Sequence, residues 1–589
     1  MFSWSDFKEI WVVDFEFYGG AGNPPIPVCY CAYEIYSKKS IKHWLLDSKN
    51  LNPQYSTKDN AVFIAYFASA EMGCHIALNW DHPRYIVDLF AEFRNNTNGK
   101  DIPSGRNLLG ACINYGVGGG DATLKDSMRD RILQGPPFIE SEKNQILDYC
   151  MKDVDLTKNL FLAMRSSIDI QRALLRGRYM WAVAKMEFNG IPIDTEALDN
   201  LKKYWELIKI KLIEKVDAIY GVYEGTTFKL NKFEEFLIKN KIPWEFTSKG
   251  HPKTDENFMK DQSKAYPLLK PLQELRFSLS QLKLNDLEIG KDGRNRTLLS
   301  PFGAKTGRNL PSSSKFIFGN AVWLRHLIKP FKGHALAYID YDQQEIGIAA
   351  ALSNDKNLSQ AYSSGDPYIN FAIQSGVVPP GATKDSHSDM RELFKTCMLG
   401  INYGMHDITF AKRANLSVAK ARELYSMHHA VFRTYWNWIQ DYMDTGQIAG
   451  CVYTKYGWKY HTIGLFKPDK KLNSEEEKKK YKDSLRNTLQ NFPMQGNGAD
   501  ILRVAICLCL ENGIKVIAPV HDAILIESTI DDIEKDAAKA SKIMTIASQH
   551  VIKFPLTTDV KIIKYPDRYT DKRGSLMWNS IGEIINVQK

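Results

Sequence analysis

The sequence predicts a multidomain protein that mixes α/β and α+β units, and three features predict it. Its 589 residues are enough for three or four structural units. Residues 1–168 alternate short apolar runs with helical periods, which is the pattern of an α/β unit. From about 170 to 300 the chain turns helical and lysine-rich, and strand-like and helical segments then alternate to the C-terminus.

Residues 10–17 (IWVVDFEF) form an apolar strand run that carries Asp14 and Glu16. A turn-rich stretch, YGGAGNPPIP (18–27), leads to a second strand pattern, VCYCAYEIY (28–36). VFIAYF (62–67) and RYIVDLF (84–90) predict two more strands, with a helix between them starting near Ser69. The glycine-rich ACINYGVGGG (111–120) precedes a helical period over 141–165. Further on, KKYWELIKIKLIEKV (202–216) is the clearest amphipathic helix. The mixed-charge stretch 467–486 predicts a solvated insertion or an exposed helix.

A net charge of +9 suits a polyanionic partner without requiring one. None of the nine cysteines lies in a CxxC pair, and Cys29/Cys31 and Cys507/Cys509 fall inside apolar runs. They are expected to be reduced and buried, not zinc ligands. The most apolar stretch, ILRVAICLCL (501–510), is interrupted by Arg503 and too short to span a bilayer. The expectation is a soluble, cytoplasmic protein with no signal peptide and no membrane contact.

Two acid constellations stand out in the second half. In ALAYIDYDQQEIGIAAALS (335–353), an apolar run delivers Asp340 to a strand end and Glu345 follows five residues later. A carboxylate buried there needs a charge partner, and a divalent metal is the natural one; a cap or a salt bridge is the plainer alternative. In KVIAPVHDAILIES (515–528), His521 and Asp522 sit between two apolar strands. Two such acids from distant strands suggest a shared metal site. Between them, Arg391, Lys395, Leu399 and Tyr403 recur every four residues on one helical face. Such a face can hold a triphosphate and stack a base, or be a solvated basic face with Tyr403 in the core.

Together these segments resemble motifs A, B and C of family A DNA polymerases. Motif A in that family reads D-Y-S-Q-x-E, and here it is Asp340-Tyr341-Asp342-Gln343-Gln344-Glu345. Of motif B, R-x3-K-x3-aromatic-G-x2-Y-G, Arg391, Lys395, Gly400, Tyr403 and Gly404 match. Motif C appears as Val520-His521-Asp522, followed by Ala523. Thr306-Gly307-Arg308 and Asn491-Phe492-Pro493-Met494-Gln495-Gly496 agree with lesser signatures. The likeness covers about 300–589 well, and its wording is most similar to bacteriophage members.

The resemblance implies a right-hand polymerase: thumb and connecting helices at 169–300, palm at 301–380 and 486–589, and fingers at 381–485. It implies two Mg²⁺ ions, with Mn²⁺ able to substitute, held by Asp340, Asp522 and the Tyr341 carbonyl. Arg391 and Lys395 would clamp nucleotide phosphates, and Glu345 with Tyr403 would exclude a ribose 2′-OH. Gln343, Arg308, Asn491, Gln495 and His521 would contact substrate or primer–template DNA. Three departures stand against the pattern: Asp342 replaces Ser, Ala523 replaces Glu, and Leu399 stands where the family carries Phe or Tyr. In the family a Tyr at that position permits dideoxynucleotides and a Phe excludes them.

The N-terminal unit resembles DEDD exonucleases of the subtype with a Tyr in the third motif. Asp14-x-Glu16 supplies the first motif, and Tyr149-x3-Asp153 places a phenol and an acid one helical turn apart. The second motif lacks its Asn. Glu71, at the strand-to-helix junction, is expected to supply the acid, with Asp88 as the rival. The resemblance implies an RNase H-like exonuclease domain at 1–168 that binds metal through Asp14, Glu16 and Asp153. Only thirteen residues precede Asp14, so no 5′-nuclease domain is expected there.

The expected protein is a monomeric proofreading DNA polymerase that uses primer–template DNA and dNTPs, with replisome proteins as further partners. If a phage encodes it, it would work in the host cytoplasm. The alternatives are an exonuclease with a weak or lost polymerase half, a single-subunit RNA polymerase, and a DNA-binding replication factor. Glu345 and the nuclease half argue against an RNA polymerase. Clustered acids facing a polyanion argue against a pure binding module.

Overall fold

The computed structural model describes residues 2–20, 22–48, 52–118, 122–247, 249–280, 286–402, 404–463 and 474–586. Strands β1 (Glu9–Tyr18), β2 (Ile26–Glu34), β3 (Ser40–Trp44), β4 (Ala61–Ala65) and β5 (Tyr85–Asp88) form one sheet in the order β3-β2-β1-β4-β5. β1 runs antiparallel to β2 and parallel to β4. Both faces of β1 are covered: Trp11, Val13 and Phe15 enter one core, Ile10 and Val12 another. That double burial explains why the run shows almost no polar alternation. Asp14 and Glu16 continue the Ile10–Val12 side, because side chains two apart share a face.

Helices α1 (Ser69–Ala77), α2 (Leu89–Thr97) and α3 (Glu140–Met164) pack around this sheet, α3 against β1 and β2. The strand expected over 84–90 stops at Asp88, whose carboxylate caps α2 by accepting from Ala91 N at 2.6 Å. The glycine-rich stretch begins inside a helix. Residues Leu108–Tyr115 are helical, and Gly116 ends the helix in the left-handed region at φ 67°. β3 was not expected from the sequence; it is a short edge strand with Ile41 as its buried member.

Helix α4 (Ile170–Asn189) leads out of this unit and packs closely on β5. Gly177 permits the approach, since a Cβ there would lie 1.8 Å from the Ile86 carbonyl oxygen. Its neighbour Arg176 forms a buried two-bond pair with Glu92 at 2.6 and 2.8 Å. Arg94 donates to the carbonyls of Phe302 and Gly303, and Asn98 to those of Lys305 and Lys459. The N-terminal unit is therefore bonded directly to the segment that carries Arg308.

The expected amphipathic helix 202–216 is two helices, Thr195–Lys203 and Trp205–Tyr220, broken at Tyr204. Leu230–Lys239, Glu256–Ala265 and Lys270–Ser280 follow, and Tyr220, Phe233, Leu237 and Leu272 form a small separate core there. The C-terminal sheet comprises β6 (His334–Tyr341), β7 (Val516–Val520), β8 (Ala523–Thr529) and β9 (Thr558–Lys564), ordered β7-β8-β6-β9 with every pair antiparallel. Around it lie α5 (Gln344–Ser353), α6 (Ser388–Asn402), α7 (Glu475–Glu511) and α8 (Ile533–Ile552). Of the mixed-charge stretch, residues 474–486 open α7, where Ser474 forms a capping box with Glu477; 467–473 lie outside the described residues.

Candidate active sites

The C-terminal sheet brings the two expected acids together. On β6, Asp340 is the register partner of Ala523 on one side and of Asp559 on the other. Val520 pairs with Ala523, so His521 and Asp522 are the two-residue turn of the β7–β8 hairpin. His521 takes φ 58° there, an uncommon conformation for a residue with a Cβ and one tolerated where a site fixes it. The Asp340 and Asp522 carboxyl groups lie beside one another. Burial first, then the Asp522 charge, with Asp342 and Asp559 adding, pushes the Asp340 carboxyl up to about 7. Its Oδ1 is buried and accepts no hydrogen bond. Paired acids with an orphaned buried oxygen fit a divalent cation, which would supply the missing charge.

The Tyr341 hydroxyl donates to the Met544 carbonyl at 2.7 Å. Its ring is thus anchored in the core. Gln343 turns the chain in the left-handed region (φ 38°, ψ 48°) to start α5. Glu345 in the first turn faces Arg308 at 3.9 Å. Arg308 follows Gly307, whose φ of 76° and close approach to the Trp458 ring exclude a side chain. Arg503 donates to the Gly307 carbonyl at 2.7 Å and holds that loop. Thr306, Arg308, Gln495 and His521 line one cavity of about 370 Å³. Asn491 stands one turn before Gln495 on α7 and opens with it onto a neighbouring surface cleft.

On α6 the expected face is present. Arg391, Lys395 and Leu399 are half-exposed, while Phe394, Cys397, Met398 and Ile401 are buried. Arg391 is held by Asp366 and Glu392, and Lys395 lies 3.5 Å from Glu392. Tyr403 lies outside the described residues. Burial lowers the His521 imidazole; the Asp522 charge opposes this, and the Arg308, Arg325 and Arg573 charges add to it. Sequence reasoning missed Asp559, an exposed strand acid with no motif around it; only the pairing of β6 with β9 puts it beside Asp340.

The N-terminal sheet gathers a second acid cluster. Ligand atoms of Asp14, Glu16 and Cys150 lie within 4.8 Å of one another. Glu71 is buried in the first turn of α1, and its carboxyl is pushed well above the usual carboxylate range by burial, then by Asp14, with smaller parts from Asp88 and Glu16. Its Oε2 has no hydrogen-bond partner. Asp88, by contrast, is fully buried and accepts from Ala68 N at 2.5 Å and Ala91 N at 2.6 Å. Asp88 caps a helix, whereas Glu71 faces the acids. Tyr149 hydrogen-bonds Asp153, and burial together with Asp153, Glu16 and Asp14 raises its phenol. The residue that sequence reasoning did not attach to this site is Cys150, whose thiol donates to the Asp14 carbonyl at 3.3 Å.

The model of DNA polymerase family A matches residues 198–565, well over half of the chain. The chain belongs to DNA polymerase family A. The family match contains Asp340, Arg391, Lys395 and Asp522, whereas the N-terminal acids lie before it. DNA polymerase I of Aquifex aeolicus is 24% identical over 451 residues, 69% of this chain and 73% of that protein. The enzymes of Deinococcus radiodurans (24%) and Thermus thermophilus (25%) align with 64% and 62% of this chain. Those alignments span 40% and 44% of the relatives, so the chain matches less than half of each. Among solved structures, the POL domain of Pol1 from M. smegmatis, in complex with DNA primer-template and dNTP, superposes with a TM-score of 0.71. It covers 94% of this chain and 95% of that one at 17% identity. Coverage that wide carries the likeness of fold into the N-terminal unit. Among the described residues, no helix is long and apolar enough to cross a membrane.

Proposed function

We propose that this family A member is a DNA-directed DNA polymerase with a 3′→5′ proofreading exonuclease in its first 168 residues. The observation that carries the reading is the Asp340–Asp522 pair, two acids from distant segments brought side by side at one end of the sheet. Mg²⁺, with Mn²⁺ as a substitute, would be held by Asp340, Asp522 and the Tyr341 carbonyl, where it would lower the pKa of a primer 3′-OH and neutralise the triphosphate.

The chain's own side chains supply the rest. Arg391 and Lys395 clamp the nucleotide phosphates once Asp366 and Glu392 release them. Glu345, with Tyr403, closes the space a ribose 2′-OH would need. Arg308, Asn491, Gln495 and His521 present donors to primer and template around the new pair. Subdomain roles follow the sequence: thumb and connecting helices at 169–300, palm at 301–380 and 486–589, fingers at 381–485. In the nuclease, Asp14, Glu16, Glu71 and Asp153 would hold the metal that activates water against a 3′-terminal phosphodiester, and Tyr149 would orient that water. The protein acts as a monomer in the cytoplasm, of the host if a phage encodes it.

The test is a labelled primer on a longer template, incubated with Mg²⁺ with and without dNTPs. Template-directed lengthening with dNTPs, and shortening from the 3′ end without them, is expected. A primer that is never lengthened would leave only the nuclease half standing.

A further inference from the structure

The nuclease acids lie against thiols. Asp14 and Glu16 are the register partners of Cys31 and Cys29 on β2, so four polar side chains share one patch of the sheet. Cys150 on α3 closes that patch from above, with its thiol beside those of Cys29 and Cys31. Cys31 donates to the Leu147 carbonyl at 3.4 Å, and Cys150 donates to that of Asp14. The sulfur of Cys150 is the third donor atom within 4.8 Å of the two carboxylates. Tetrahedral zinc, with bonds near 2.0–2.3 Å, needs its ligand atoms roughly 3.3–3.8 Å apart, a modest contraction. Glu71, 4% exposed and with an unpartnered Oε2, adds an uncompensated buried acid beside Asp14.

We propose that Cys150, Asp14 and Glu16 form a site for a thiophilic divalent cation, Zn²⁺ or Cd²⁺, that displaces Mg²⁺ and holds the nuclease inactive. The proposal rests on the nuclease reading above. A carboxylate-only site takes hard cations, whereas one thiolate in the set selects zinc and its congeners. On binding, the Cys150 S–H bond is replaced by a sulfur–metal bond and the proton leaves to solvent. The metal is then fixed by the helix as well as by the strand, and water takes the fourth position.

The experiment titrates the metal-stripped full chain with Cd²⁺ and follows the ultraviolet thiolate-to-cadmium absorption. Wild type should bind one tight equivalent. Because loss of a mere orienting group costs ten- to a hundredfold in metal affinity, Cys150→Ser should lose on the order of a hundredfold or more. Asp14→Asn keeps all nine thiols and should weaken binding by a similar factor; it guards against a Cys150→Ser variant that does not fold. In parallel, Cd²⁺ should suppress Mg²⁺-supported shortening of a 3′ end in wild type. Tight binding unchanged in both variants would overturn the site. Tight binding lost in both, in a protein that never shortens DNA, would keep the site and sink the nuclease reading instead.

Discussion

The two acid clusters are built in different ways. At the N-terminal site, Asp14 and Glu16 lie on one side of a central strand, among apolar neighbours and three cysteine thiols, and a helix brings the remaining groups over them. At the C-terminal site, Asp340 ends a strand, Asp522 sits in a tight turn, and flanking acids surround them. The first is walled by side chains that prefer to be buried, the second by main chain and carboxylates. Acid content is therefore a poor guide to what a site accepts; the atoms between the acids decide hardness and access. The same contrast shows at Ala523, where the family pattern has an acid: Asp559, on the opposite neighbour strand, places a carboxylate beside Asp340.

The contrast can be broken hardest at Glu71. If it belongs to the N-terminal set, Glu71→Ala should reduce shortening of a single-stranded 3′ end by at least ten- to a hundredfold. Asp88→Ala removes a helix cap and should instead lower stability by about 1 kcal/mol while degradation persists. A dead Asp88→Ala beside an active Glu71→Ala would reverse the two roles.

A second test sharpens what the α6 face touches. Leu399 has no hydroxyl to replace the hydrogen bond lost with a 3′-OH, so the protein should discriminate against dideoxynucleotides. Leu399→Tyr should relax the dNTP over ddNTP ratio of kcat/KM by ~1–3 kcal/mol. No change in that ratio would mean the residue does not face the sugar.

Asp559 should matter less, because it is exposed. Neutralising it removes a solvent-screened charge next to Asp340, worth roughly 1 kcal/mol, so Asp559→Asn should slow extension about fivefold. An unchanged rate across Mg²⁺ concentrations would remove Asp559 from the set.

The smallest expected effect is on stability. Asp340 rises from 3.8 to about 7 in the fold, so the folded protein binds the extra proton. The stability this group contributes is complete below the unfolded value and is lost as pH rises towards 7. Metal-free wild type should therefore lose a few degrees of Tm between pH 4 and pH 8 that Asp340→Asn does not lose, and Mg²⁺ should abolish the difference. Parallel Tm curves would contradict the raised carboxyl.

Much of this arrangement was legible in the sequence because it depends on short periods. The strand runs around Asp14 and Asp340, the 140–164 helix and the four-residue spacing of Arg391, Lys395 and Leu399 all follow from local pattern. What stayed hidden depends on partners far along the chain. Asp559 joins its site only through the β6–β9 pairing, and Cys150 joins Asp14 only when α3 lies across β1. The break at Tyr204 was hidden for the opposite reason: the apolar period continues through it, while the backbone leaves the helix at φ −98°, ψ 11°. Leu108–Tyr115 was masked by the glycines that follow it.

In the proposed function the two acid clusters perform separate reactions on the same primer. The direct measurement follows one labelled primer–template in Mg²⁺, scoring lengthening with dNTPs and shortening without them. The proteins compared are wild type, Asp340→Asn and the Asp14→Ala, Glu16→Ala double variant. Asp340→Asn should shorten the primer at the wild-type rate and never lengthen it, and the double variant should do the reverse. Substantial extension by Asp340→Asn, or unimpaired shortening by the double variant, would contradict the account.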